Sequence, residues 1–212
     1  MNHLRTRFLV CIAVLFAAGA HADIIVGGIT FDDNAFADEV IDFSSTAVFE
    51  SYTSDPFSRF SVSAEDALTG HDLRSSTIEL QSDEYVSVGF TDNLIVNEAG
   101  ADLAIFEMFA TPEVGEITVE LGGTSIDYGA VSLGNLDLGG VSNYVNVAYI
   151  DLSDFGFAAN QTTDYIRAHG SSSEYAAFGA LNNQAASVPE PSTAILLSVG
   201  LFGFALIRRK KK

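Results

Sequence analysis

Asp92, Asn93, Glu98, Asp102 and Glu107 fall within 16 positions and form the densest group of chemically capable side chains in this sequence. Carboxylate and amide oxygens are the hard ligands a calcium ion takes. The spacing is not that of an EF-hand loop, and strand alternation limits it further. In an extended run, Asp102 shares a face with Ala104 and Phe106, while Glu107 shares the opposite face with Leu103 and Ile105. The two carboxylates cannot both reach one ion from regular strand geometry. Asp92, Asn93, Asp102 and Glu107 stand as candidate Ca2+ ligands, with solvated loop acids as the alternative. Asp32-Asp33-Asn34 is a second acidic group, equally readable as a tight turn.

Pairs of Asp and Glu could also serve as the acid and base of a glycoside hydrolase, although every acidic chain offers such pairs. Tryptophan is absent, so a sugar platform would have to be Tyr or Phe; Tyr128, Tyr144, Tyr149, Tyr165 and Tyr175 could stack on a sugar or simply pack. There is no G-x-S-x-G elbow. His71 and His169 are the only histidines beyond residue 22, and each sits beside a glycine, which reads as loop. Two isolated histidines make a poor zinc site, and the glycine-rich turns have no following helix with which to hold phosphate. The expectation is a non-catalytic protein with no catalytic residues and no required cofactor, Ca2+ being the one ion its acids could take.

The formal net charge of −18 averages three unlike segments. Between Asp23 and Ser187 there are 27 acids against Arg59, Arg74 and Arg167, a net −24. That balance argues against nucleic-acid binding or docking on anionic lipid. Cations and uncharged sugars remain as partners. The lone cysteine, Cys11, lies in the N-terminal apolar run, so no disulfide staples the middle of the chain.

The elements that must position these residues are strands. Short runs rich in Val, Ile, Phe, Tyr and Thr alternate with Gly, Asn, Asp and Ser clusters. Strands are expected over Ile24–Ile29, Glu39–Phe43, Ala47–Tyr52, Ser76–Leu80, Tyr85–Phe90, Asp102–Met108, Glu116–Leu121, Ser125–Tyr128, Val145–Asp151, Tyr165–Ala168 and Tyr175–Ala180. Turns are expected at Asp32-Asp33-Asn34, Asp92-Asn93, Gly122-Gly123 and Gly139-Gly140, and one helical turn over Ala64–Gly70. Period-two patterning in 85–90 and 117–121 calls for sheets with one buried and one wet face. The fold class is therefore all-β, a β-sandwich or jelly roll over residues 23–184.

The two ends carry addresses. Arg5 and Arg7, an apolar stretch from Phe8 to Ala18 and the small-x-small triplet Ala20-His21-Ala22 predict a signal peptide over 1–22, cleaved to leave Asp23 first. Residues 185–212 predict a linker, a Pro-Glu-Pro strip at Val188, Pro189, Glu190, Pro191 and Ser192, a single transmembrane helix centred on Ala194–Ile207, and the basic end Arg208, Arg209, Lys210, Lys211 and Lys212. The cations favour the cytoplasmic side, which leaves the acidic domain outside. Pro189 and Pro191 keep the strip extended and readable by a protease.

This tail resembles the PEP-CTERM sorting signal of Gram-negative bacteria, on the residues from Val188 to Ser192 followed by the apolar segment and basic end. The resemblance implies recognition by an exosortase at the inner membrane, cleavage near the motif, and delivery to the cell surface or an exopolysaccharide matrix. More weakly, Ala37–Phe43, Ala67–Gly70, Val88–Glu107 and Ile150–Gly156 resemble the jelly-roll, galactose-binding-like domains of bacterial surface proteins; at Glu174-Tyr175-Ala176-Ala177-Phe178 only one of two expected acids is present. The sequence thus reads as an exported protein of adhesion, exopolysaccharide association or biofilm structure. A calcium-dependent carbohydrate-binding module is the alternative, and an extracellular glycoside hydrolase the second.

Overall fold

The computed structural model describes residues 23–186, apart from 33, 53–57, 110, 113–114, 139, 141 and 171. Ala20, Ala22, the strip 188–192 and the basic end 208–212 lie outside the described residues. So does the 194–207 segment; among the described residues no helix is long and apolar enough to cross a membrane.

The chain begins with a hairpin, β1 (Ile24–Val26) and β2 (Ile29–Phe31). It continues through β3 (Glu39–Phe43), β4 (Phe49–Tyr52) and β5 (Arg59–Ser61) to a short helix, α1 (Ala64–Leu68). After β6 (Ser75–Thr77) come β7 (Tyr85–Gly89), β8 (Asn93–Val96), β9 (Leu103–Phe109), β10 (Glu116–Leu121), β11 (Thr124–Gly129), β12 (Val131–Asp137) and β13 (Ser142–Ile150). A 3-10 turn, Leu152–Phe155, leads to β14 (Thr162–Thr163), β15 (Tyr165–His169), β16 (Tyr175–Ala180) and β17 (Asn183–Ala185).

Two antiparallel sheets face each other, in the orders β11-β10-β15-β7-β3 and β12-β13-β9-β16. The chain passes repeatedly from one to the other, with the hairpins β10–β11 and β12–β13 each inside one sheet, in an all-β, sandwich-like architecture. Val86, Val88, Ile117, Val119, Ile166 and Ala168 from the first sheet meet Leu103, Ile105, Ala148, Ile150 and Phe178 from the second in one buried cluster. Each fully buried large aliphatic or aromatic side chain contributes about 1.5–3 kcal/mol.

In the four-stranded sheet, β9 and β16 are buried on both faces. Ala104, Phe106, Met108, Val145 and Val147 point away from the sandwich into a second cluster with Val26, Phe31, Phe36, Tyr52 and Leu73. Phe31 packs on Phe36 and Phe106 with ring centroids 4.8 and 5.9 Å apart. A bulge between Tyr175 and Ala177 adds a residue to β16, so that Ala176 and Ala177 both face this second core while Tyr175 and Phe178 face the first.

Several expected boundaries are corrected. Ile24–Ile29 is not one strand, because the chain reverses at Gly27-Gly28, whose positive φ of 58° and 85° few other residues adopt. Ser76–Leu80 shortens to β6 plus an isolated bridge at Leu80. The helix stops at Leu68, capped at its start by Ser63, whose Oγ accepts from the Asp66 N–H. Asn93 opens β8 rather than closing a turn. The strands β5, β8, β12, β14 and β17 were not expected.

Candidate functional site

Strand alternation decides what the five-stranded sheet shows to solvent. Val86, Val88, Val119, Ile166 and Ala168 are buried inward, so Tyr85, Ser87, Gly89, Thr118, Glu120, Tyr165, Arg167 and His169 point to the outer face. Register places them in rows. Glu120, Arg167, Ser87 and Asp42 lie opposite one another on β10, β15, β7 and β3. Thr118, His169 and Tyr85 form the next row, and Tyr165, Gly89 and Glu39 the row on the other side.

Arg167 is the centre of this face. Its guanidinium carbon sits 4.4 Å from the centroid of the Tyr85 ring, its Nε donates to Ser87 Oγ at 2.9 Å, and Nη1 lies 3.9 Å from Glu120 Oε2. The same Glu120 oxygen is 2.7 Å from His169 Nε2. Tyr85 donates its hydroxyl to Asp42 at 2.7 Å, and that bond holds the phenol above its ordinary pKa. Thr118 donates to Asp127 at 2.7 Å. The polar groups fix one another's rotamers, the kind of preorganisation a binding surface needs.

The row through Gly89 is different. A bulge in β3 between Val40 and Asp42 inserts Ile41, which is 51% exposed and leans over Gly89. A Cβ on Gly89 would come within 3.3 Å of Ile41 Cδ1 and 3.4 Å of Glu39 Oε2. Bare backbone here floors a cavity of about 620 Å³, lined also by Tyr165, Arg167, Asp164, Thr91, Leu94 and Ala186. That volume lies in the range of small-ligand sites.

A second cavity of about 630 Å³ lies between the β1–β2 hairpin, residues 71–74 and the end of β12. Its charged groups already serve each other: Arg74 Nη2 lies 2.6 Å from Asp72 Oδ2, and this hydrogen-bonded partner draws the Asp72 carboxyl below its usual range. It offers fewer uncommitted polar groups than the cavity over Gly89.

The acidic residues singled out from the sequence are dispersed. Asp92 is exposed, and its N–H donates to Asp38. Asn93 and Glu107 are fully buried. Asp102 is buried too, with Oδ1 accepting from the Glu98 N–H and Asn182 Nδ2 and Oδ2 from the Leu152 N–H. Asp102 and Glu107 stand five residues apart along an extended chain, roughly 16 Å. Among the described residues no three His, Cys, Asp or Glu side chains are grouped to hold a metal ion. Asp32 closes a turn, its carbonyl accepting from the Ala35 N–H.

The five candidate tyrosines do not share a face. Tyr175 is buried in the core, Tyr128 packs on Phe155 and donates to Asp154, and Tyr144 and Tyr149 belong to the other sheet; of the five, only Tyr165 lies on the outer face described above. His169 is corrected from loop to strand, with Glu120 as its partner. Sequence reasoning missed Tyr85, Arg167 and Glu120 as a group. The period-two pattern of β7 and β15 could have found them, once the two strands were known to be neighbours.

Comparison with known families finds one feature. Residues 187–210 match the family model described as the PEP-CTERM protein-sorting motif, supporting an exosortase substrate that is exported through a transient membrane-anchored stage. No curated protein and no solved structure matches the chain.

Proposed function

We propose that this is a non-catalytic surface or extracellular-matrix protein, released from its precursor by an exosortase, whose sandwich domain associates with exopolysaccharide in adhesion or biofilm structure. The observation that carries the reading is the sorting motif at 187–210, which begins one residue beyond Ala186, the last described residue, whose N–H donates to the Asp92 carbonyl at 3.0 Å. Folded domain and sorting signal are contiguous, so the domain is the cargo. The preorganised outer face of the five-stranded sheet supplies a surface for a polymer of hydroxyl groups.

The test is intact mass and fractionation of the protein from its own host, wild type beside Glu190→Ala. The expected wild-type species starts at Asp23, lacks the segment beyond the motif, and is found outside the inner membrane; Glu190→Ala is expected to stay as an uncleaved membrane precursor. Normal processing of Glu190→Ala would overturn the sorting role of the strip. A hydrolase reading has one observation in its favour, that Glu39 and Asp164 both line the cavity over Gly89. Release of reducing ends from a polysaccharide, abolished by Glu39→Gln, would replace the non-catalytic reading.

A further inference from the structure

Resting on that reading, we propose that the cavity over Gly89 binds a pyranose unit of a polysaccharide that carries no acidic groups, neutral or amine-bearing. Three properties of the site point to this chemistry. The first is shape. Tyr165 on one side, 39% exposed, and the bulged Ile41 on the other stand over the bare backbone of Gly89 in a cavity of about 620 Å³. A sugar ring presents an apolar face of C–H groups, and an aromatic ring beside an aliphatic side chain is the surface that covers it. Ile41 and Tyr165 are the exposed large apolar side chains that line this cavity.

The second property is the set of polar handles around that apolar floor. Glu39 and Asp164 offer carboxylates that accept from hydroxyl or ammonium groups, and Arg167 offers donors. Arg167 does not swing freely, since Ser87 holds its Nε and Tyr85 lies under its guanidinium. Binding therefore needs little ordering of the protein.

The third property is charge. Two acidic residues, Glu39 and Asp164, and one arginine, Arg167, line the cavity, inside a domain of net −24. Uronate or sulfate groups would meet that field unfavourably, whereas neutral sugars are indifferent to it and protonated amines are drawn in.

Calorimetry on the mature protein purified from its host, titrated with cellohexaose, the hexamer of glucosamine and hexagalacturonate, tests the inference. The expected result is binding of at least one of the two non-acidic hexamers and none of hexagalacturonate. Tyr165→Ala is expected to weaken that binding about tenfold or more, the loss of one stacking contact, and Gly89→Val to abolish it by pushing aside Ile41 and Glu39, which a Cβ there would meet at 3.3 and 3.4 Å. Ile25→Ser, in the second cavity, should bind as wild type. Melting temperatures taken alongside separate misfolding from loss of the site, and Tyr165→Phe, which keeps the ring, should restore binding. Failure of both non-acidic hexamers, indifference to Tyr165→Ala, or preference for hexagalacturonate would each overturn the proposal. The broader reading fails separately. If Tyr165→Ala protein is still retained in the host's extracellular polysaccharide fraction, the groove is wrong and matrix association stands; if wild-type protein is absent from that fraction, matrix association itself is wrong.

Discussion

Asp102 ties three distant segments together through one carboxylate. Its oxygens accept from the Glu98 N–H at 2.8 Å, the Leu152 N–H at 2.9 Å and Asn182 Nδ2 at 3.0 Å, while its own carbonyl accepts from the Leu181 N–H. A buried carboxylate is tolerated when donors surround it, and removing it leaves those donors without an acceptor. Asp102→Ala is expected to lower the free energy of unfolding by about 3 kcal/mol or more, read from the shift of the urea midpoint; Asp102→Asn, which keeps the shape and one acceptor, should cost less. Because both oxygens are engaged by the protein, chelation with EDTA should leave the midpoint unmoved, and a clear drop would return Asp102 to the metal ligands. The sequence marked this residue by its type and its acidic surroundings. Its role was hidden because Leu152 and Asn182 are 50 and 80 residues away, and separation of that size leaves no local pattern. Arg167 illustrates the same gap: the sequence counts it only as one of three arginines in an acidic domain, and Ser87, 80 positions earlier, gives no local sign of being its partner.

Among the strands, legibility followed the environment of each face. β10 alternates exposed and buried residues and was readable at once as a half-wet strand. β9 and β16 are buried on both faces, and their apolar runs still read as strands because turn residues bound them. β8 and β17 escape the sequence, since Asp92-Asn93 has turn chemistry and Asn183-Gln184-Ala185 has no apolar pattern; β17 exists through its pairing with β8, which also pairs with β14. That pairing has a directional consequence. The Val96 N–H donates to Asn182 and the Ala186 N–H to Asp92, so antiparallel alternation directs the Gln184 N–H toward β8 and those of Asn183 and Ala185 away from it. Gln184→Pro should therefore unpair β17, at a cost of about 3 kcal/mol locally, and expose residues 182–187 to limited proteolysis. Ala185→Pro should leave the cleavage pattern near wild type; equal sensitivity of the two variants would disprove the ladder assignment.

For the molecule as a whole, the governing quantity is the net −24 of the domain, within which each of its three arginines lies beside at least one carboxylate. Arg59 lies over Tyr52 beside Glu50 and Glu174, Arg74 is clasped by Asp72, and Arg167 faces Glu120. The remaining acids repel one another, and this repulsion opposes the compact state while keeping copies apart. Raising NaCl from about 10 to about 150 mM shortens the screening length from roughly 30 to roughly 8 Å, so the melting temperature should rise by a few degrees rather than fall. Acid acts in two opposed ways. Mild acidification discharges part of the repulsion, but Asp72 and Glu84 hold depressed pKa values, Asp72 through Arg74 and Glu84 through Thr46 and the Gln81 N–H. Depressed carboxylates contribute stability that is present above their unfolded values, near 4, and is lost as pH falls through the lower folded ones. The melting temperature should accordingly hold or rise from pH 7 toward 5 and decline only below about pH 4, with Asp72→Asn flattening that acid limb slightly because its ion pair is half exposed. A melting temperature that falls with added salt at neutral pH would mean that local ion pairs, not the collective charge, set the stability, and the charge-based exclusion of acidic polysaccharides from the groove would lose its foundation.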